Sequence, residues 1–295
     1  MRLDFIVPGF GKCGTCTLCS LLGEHPNIYM SPKKEPNFFS RFYPERWPWY
    51  ESLFEDSDPQ SLCGEGSTSY VVTDFAELSC QRIAEHFPNV RLIMIARDPI
   101  TRIESIFREH HYRAHRFGIE VPDEIGDALN AFPAMINDTL YWQRLSTYRK
   151  RFSDDQIHLL FFEDLVRQPG KELRRCFDFL GVDPAVDIPN VDRKMNPGTA
   201  KFRSTKLMRR LLSFRWLNKC WNWLPGRVQD TLGELTGLRR RFKSPIAWSS
   251  EALDSLLEQI ADDAGRFLEH CGKPASFWNL HRDRSVTSSS KQRAA

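Results

Sequence analysis

The run Gly9-Phe10-Gly11-Lys12-Cys13-Gly14-Thr15-Cys16-Thr17 has the make-up of an anion cradle. It follows an apolar stretch at residues 3–7 and precedes leucines 18, 21 and 22. A strand that hands over to a helix through such a turn aims backbone N–H groups and the positive helix end at a phosphate or sulfate. A second run, Arg97 to Ser105, follows the apolar stretch at 91–96. There a guanidinium can grip phosphate with two parallel bonds. Between the two lies Glu35, in Lys33-Lys34-Glu35-Pro36. From the sequence around it, it reads as a loop glutamate paired with Lys33 or Lys34.

The glycine loop admits more than one reading. Gly9, Gly11 and Gly14 fit the dinucleotide fingerprint G-x-G-x-x-G, although the loop contains a lysine and Glu35 lies in a loop instead of at a strand tip. This leaves an NAD(P)-dependent oxidoreductase as an alternative. The nucleoside-triphosphatase pattern needs Gly-Lys-Ser/Thr in that order and is not met. Cys13, Cys16 and Cys19 are spaced like cluster ligands but lack a fourth, so no metal is expected. At a helix start, Cys13 and Cys16 are expected to be acidic, oxidation-prone thiols.

These residues need elements to position them. Apolar runs at 3–7, 27–30, 91–96 and 156–162 read as strands. Helical periods occur at 15–23, 74–87 with Asp74 as N-cap, 100–113, 141–152 and 170–180, the last stopped by Gly181. Strands alternating with helices imply right-handed crossovers and a covered parallel sheet. Beyond about residue 185 no comparable strand is read; 206–224 and 250–271 look helical, and the polar, Ser-rich 283–295 reads as a disordered tail. The chain has 295 residues, 41% hydrophobic and 27% charged, which excludes collagen-like, disordered and disulfide-scaffold classes. No apolar run is long enough to span a bilayer, no leader is evident, and the 8 cysteines are read as thiols of a reducing, cytoplasmic setting.

In combination the motifs resemble the sulfotransferases that use 3′-phosphoadenosine-5′-phosphosulfate (PAPS), of the heparan-sulfate type and its bacterial relatives. Residues 8–18 look like the family's 5′-phosphosulfate loop, and Arg97, Pro99, Arg102 and Ser105 its 3′-phosphate motif, about 85 residues on. His25-Pro26, Lys34 to Phe39, Gly64 to Tyr70, Phe162 to Leu165, Phe177 to Gly181, Asn196-Pro197-Gly198 and Phe277-Trp278 follow in family order. The resemblance implies an α/β fold over residues 1–282, a single domain with a central parallel β-sheet flanked by helices. It further implies a P-loop-like phosphosulfate loop and a helical C-terminal section.

It also implies in-line sulfuryl transfer to an acceptor hydroxyl or amine, without metal. The acceptor would be a carbohydrate or small molecule, not nucleic acid. By the same resemblance Lys12 stabilises the leaving group and Glu35 is the general base. Gly11, Lys12, Cys13, Gly14, Thr15, Cys16, Thr17, Arg97, Ser105 and Arg203 bind the donor. Arg193, Lys194 and Lys201 are further candidates for a closing loop. Cys16 and Gly66 depart from the pattern: the family has Thr or Ser at the first, and its animal heparan-sulfate branch has lysine at the second. These departures keep a non-catalytic nucleotide- or glycan-binding module as a second alternative. His110 and His111 are read as acceptor contacts, a supplementary base, or helix-surface residues.

The net charge of +3 is unevenly spread. Residues 201–243 hold twelve Lys or Arg against Asp230 and Glu234, a net +10, so the remainder sums to −7. Leu207, Leu211, Phe214, Leu217, Trp221 and Leu224 recur there at helical spacing. A lid over the donor, an acidic-glycan contact and a peripheral membrane contact all fit this pattern.

Overall fold

The computed structural model describes residues 1–117, 119–189, 191, 202–212, 214–242, 246–278 and 280, and the structural statements here concern these. In chain order they form β1 (Phe5–Gly9), α1 (Thr15–Leu22), β2 (Ile28–Met30), α2 (Trp47–Ser52), β3 (Leu62–Gly66), α3 (Ala76–His86), β4 (Arg91–Ala96), α4 (Pro99–Phe117), α5 (Ile125–Ala131), α6 (Ala134–Asn137), α7 (Tyr141–Arg149), β5 (Ile157–Phe161), α8 (Phe162–Arg167) and α9 (Pro169–Leu180). Then come β6 (Phe202–Ser204), α10 (Lys206–Leu212), α11 (Arg215–Trp223), α12 (Gly226–Leu235), β7 (Arg239–Arg241) and α13 (Ser250–His270).

The first five strands make one parallel sheet in the order β2-β3-β1-β4-β5. The apolar runs of β1 and β4 are buried at every position except Arg91, as strands covered on both faces require. The chain leaves β1 for the far edge at β2, returns through β3, then crosses to β4 on the other side of β1. Strand order therefore reverses at β1, where an open α/β sheet leaves a crevice beyond the strand C-termini. Residues 9–17, 31–37, 66–70 and 97–105 all issue from that end.

The strands read from apolar pattern are present, β4 with the expected bounds, β1 two residues later, β2 a residue shorter and β5 a residue shorter at each end. Strand β3 was not anticipated, because Gly64, Glu65 and Gly66 break the pattern. Gly64 is needed for close approach: a Cβ there would lie 2.1 Å from the Phe5 ring. Helix α3 begins at Ala76 without a side-chain cap, so Asp74 is not its N-cap; residues 72–76 are instead a turn closed by Phe75 and Ala76 N–H groups on the Val72 carbonyl. Gly181 stops α9 as expected, with φ +72°. The expected helix over 206–224 is two among the described residues, α10 ending at Leu212 and α11 beginning at Arg215. An unanticipated antiparallel pair, β6 with β7, adjoins them; three-residue strands are too short to show a period. The tail at 283–295 and Asn196-Pro197-Gly198 lie outside the described residues.

Candidate active site

The donor loop is fixed by its neighbours in the sheet. The Phe10 N–H donates to the Ile95 carbonyl of β4 at 2.9 Å, and the Phe10 ring packs edge-on to Tyr141 at 4.5 Å. Lys12 (φ +68°) and Gly14 (φ +97°) take left-handed conformations on either side of Cys13. Such alternation turns successive N–H groups inward to form an anion nest. Gly14 is required twice over, since a Cβ would also meet the Phe162 ring at 2.7 Å. Helix α1 then starts at Thr15 with no side-chain cap, so the N–H groups of Thr15, Cys16 and Thr17 are left for a ligand. Cys13 turns inward, 3.5 Å from the Tyr141 hydroxyl, and burial pushes its thiol pKa up. The expected acidic thiol at this position is therefore corrected: desolvation outweighs the nearby Arg102 charge.

The second anion motif meets this loop through α4. Arg97, one residue past β4, donates Nε–H to Thr101 Oγ1 at 3.0 Å and lays its guanidinium over the Phe162 ring. Ser105, 8% exposed, stands in the second turn of α4. The start of α4 is pinned by the Asp98 N–H on Glu163 Oε1 at 2.8 Å and the Thr101 N–H on Asp98 Oδ1 at 2.8 Å. Buried Arg102 ties the halves together, donating Nε–H to the Gly11 carbonyl at 2.9 Å and a second N–H to Thr139 Oγ1. Arg102 belongs to the recognised motif, but its bond to Gly11 required the fold.

Lys12 extends to α4, where its Nζ lies 2.9 Å from Glu109 Oε2. Glu109 also pairs with Arg113. His111 is buried, with Nε2 3.0 Å from the Pro122 carbonyl and its ring against Phe107 and Phe242. It is therefore not a surface histidine. Burial lowers the His110 pKa, and its ring packs on Phe132.

Glu35 and Asn37 form the other side of the site, both with left-handed φ, +52° and +54°. Such conformations in non-glycine residues cost energy and persist where surroundings over-determine them. Here Asn37 N–H donates to Ser67 Oγ at 2.9 Å, Asn37 Nδ2 to the Glu35 carbonyl at 2.9 Å, and Ser69 Oγ to Asn37 Oδ1 at 2.5 Å. Thr68 Oγ1 donates to Glu35 Oε1 at 3.2 Å. Behind them Ser67, Tyr70 and Tyr50 donate hydroxyls to the buried Glu65, at 2.7, 2.6 and 3.3 Å. Burial raises the Glu65 pKa to about 7 against those three donors. Lys34 also belongs here: burial acts to lower its pKa, but its hydrogen bond to Cys16 and the Glu35 carboxylate raise it overall. Glu65 and Lys34 were not singled out from sequence.

Residues 2–206 match the profile of the sulfotransferase domain. The chain belongs to the sulfotransferase family. The sulfotransferase is 29% identical over 181 residues to mouse heparan sulfate glucosamine 3-O-sulfotransferase 3B1, covering 60% of this chain and 45% of that one. It is 29% identical over 191 residues to human heparan sulfate glucosamine 3-O-sulfotransferase 6, covering 61% and 53%. The match thus spans about half the length of these curated relatives. In fold the sulfotransferase is similar to a sulfotransferase from Alicyclobacillus acidocaldarius, with a TM-score of 0.64 at 21% identity over 95% of this chain and 99% of that one. Family membership displaces the nicotinamide reading of the glycine loop.

The topology of the chain thus gathers Gly11 to Thr17, Glu35, Arg97 and Ser105 at one end of its sheet. A Cβ at position 66 would lie 2.6 Å from Cys19 Sγ, so a side chain there requires Cys19 to move. The backbone of Arg203 lies in β6, opposite Arg240, and β6 runs along α4. Arg193, Lys194 and Lys201 lie outside the described residues. Among the described residues no cluster of His, Cys, Asp and Glu is arranged to hold a metal ion.

Proposed function

We propose that this sulfotransferase moves a sulfuryl group from PAPS to a hydroxyl of a carbohydrate acceptor by in-line displacement. The observation that carries the proposal is the convergence of an anion nest, a second phosphate-gripping motif and a carboxylate at the switch point of one sheet. The donor supplies an activated sulfuryl group on a 5′-phosphate, and the left-handed turn at Lys12 and Gly14 with the uncapped start of α1 suits such a group. The N–H groups of Gly14 to Thr17 bind the 5′ end, while Arg97 and Ser105 bind the 3′ phosphate. Lys12, released from Glu109, neutralises charge that develops on the leaving oxygen. Glu35, held by Thr68, takes the acceptor proton as the hydroxyl attacks.

The acceptor class rests on the heparan sulfate named for the relatives. Gly66 lacks the cation of the animal branch, so heparan sulfate itself is not singled out as the acceptor. A reducing, cytoplasmic setting belongs to the same proposal, prompted by unpaired Cys13 and Cys16 in the donor loop.

Thermal shift with adenosine 3′,5′-bisphosphate, NADPH and ATP tests the donor, and transfer of labelled sulfate across a carbohydrate panel tests the reaction. Stabilisation by the bisphosphate alone, with label transferred to a sugar hydroxyl, is expected. Glu35→Gln should keep bisphosphate binding and lose about 10²–10⁴ in kcat. Binding without turnover on any acceptor would favour the non-catalytic module; parallel loss of binding and turnover in Glu35→Gln would make Glu35 structural.

A further inference from the structure

Residues 207–235 lie beyond the matched sulfotransferase profile, and the catalytic site leaves their composition unexplained. Each of three successive helices there turns an apolar face outward. In α10 the exposed positions include Leu207 and Leu211, followed by Phe214, while Met208 and Leu212 are buried. In α11, Trp216 (67% exposed) and Trp223 (85%) stand two turns apart on one face, with exposed Lys219 and Cys220 between them. In α12, Val228, Leu232 and Leu235 (78%) repeat the pattern.

The inner side of this layer is well anchored. Arg239 is buried, donates to Asp230 at 2.6 Å, and stacks on the rings of Trp221 and Tyr112, the latter on α4. Gln229 Nε2 caps the carbonyls of Trp221 and Leu224 at 2.9 Å. The outward apolar faces are thus presented by a secured scaffold that reaches the helix carrying Ser105.

We propose that α10, α11 and α12 dock this enzyme on an anionic lipid surface. The partner follows from two complementarities. Exposed Trp, Leu and Phe with interleaved basic residues are what a bilayer interface accepts, since rings and chains enter the acyl boundary while cations meet headgroups. The net +10 of residues 201–243, on a chain otherwise negative, selects anionic headgroups. A polyanionic glycan would use the cations but leave eight bulky apolar side chains in water. Among the described residues no helix is long and apolar enough to cross a membrane, so the contact is with the surface.

The full chain is sedimented with phosphatidylcholine vesicles, with and without phosphatidylglycerol. Binding to the anionic vesicles at low salt is expected, and at least ~10-fold weaker binding on pure phosphatidylcholine or at high salt. Brominated lipids should quench tryptophan fluorescence of the bound protein. Trp216→Ser with Trp223→Ser should lower partitioning ~10-fold at an unchanged thermal midpoint, because both rings are already in water. Three results overturn the proposal. One is no binding to anionic vesicles at low salt, or equal binding by the double variant. Another is tryptophan-dependent retention on heparin without vesicle binding, which indicates an acidic glycan. The third is a wild-type dimer that the double variant makes monomeric, which indicates a second copy of the chain.

Discussion

Lys12 and Glu35 both stand just beyond the end of a parallel strand with left-handed φ, yet their conformations are held in different ways. Lys12 belongs to a segment held largely by backbone: Phe10 N–H on Ile95, Arg102 on the Gly11 carbonyl, and Gly14 where no side chain fits. Glu35 belongs to a segment held by side chains from the loop after β3, through Ser67, Thr68 and Ser69, with Glu65 behind them. A cradle for a fixed anion is built from N–H groups, whose placement needs only glycines at the right spacing. A base that must meet an acceptor is aimed by a hydroxyl network, whose members are some thirty residues away.

The contrast breaks most visibly at Lys12. Lys12→Ala removes a cation from the leaving-group side and should lower kcat at least ~100-fold while adenosine bisphosphate still binds, because the N–H groups and Arg97 remain. Titration calorimetry with single-turnover kinetics checks this; near-normal turnover in folded protein would return Lys12 to the role of an ion-pair partner for Glu109.

Glu65 tests the other half by pH. In the folded chain it keeps its proton to about pH 7, whereas unfolded it releases it near 4.5. Its contribution to stability is therefore whole below about pH 4.5 and is lost as pH rises through about 7. Glu65→Gln should remove a decline on the order of 2–3 kcal/mol across that window, read as urea midpoints at several pH values. Bisphosphate affinity should follow wild type at each pH. An unaltered slope would show that Glu65 is ionised throughout.

How much was legible in the sequence follows the same division. The apolar runs of β1 and β4 and the glycine, lysine and arginine that follow them announce strand, loop and anion site, because each is complete within one segment. Strand β3 was hidden because its fourth residue is a buried glutamate whose hydroxyl partners are Tyr50, Ser67 and Tyr70. Periodicity sees only a charge between two glycines. Lys34 was noticed as a neighbour of Glu35, but its reach to Cys16 needed the return of the chain from β2 to α1. The division of α10 from α11 stayed invisible because apolar spacing runs through both unbroken.

Ser67→Ala separates placement from chemistry in the base half. It removes the acceptor of the Asn37 N–H and one donor to Glu65, costing about 1–3 kcal/mol of stability. With Glu35 less well aimed, kcat should fall about tenfold at unchanged bisphosphate affinity. Ser67→Thr, which keeps the hydroxyl, should recover most of the rate. A fall in bisphosphate affinity matching that in kcat would mean that the two halves are not separately built.

The smallest effect lies at the donor half's departure from its family. Cys16 offers a thiol, a weak donor, at the first turn of α1, where the resemblance calls for a hydroxyl. Cys16→Ser supplies that donor at nearly the same size, and bisphosphate should bind about threefold tighter, a gain within the range of one added hydrogen bond. The serine oxygen can still accept from Lys34, so the cation beside Glu35 stays in place and kcat should be unchanged. If serine instead weakens binding, the sulfur is there for Lys34, and the donor half too is held partly by side chains that its glycine spacing does not reveal.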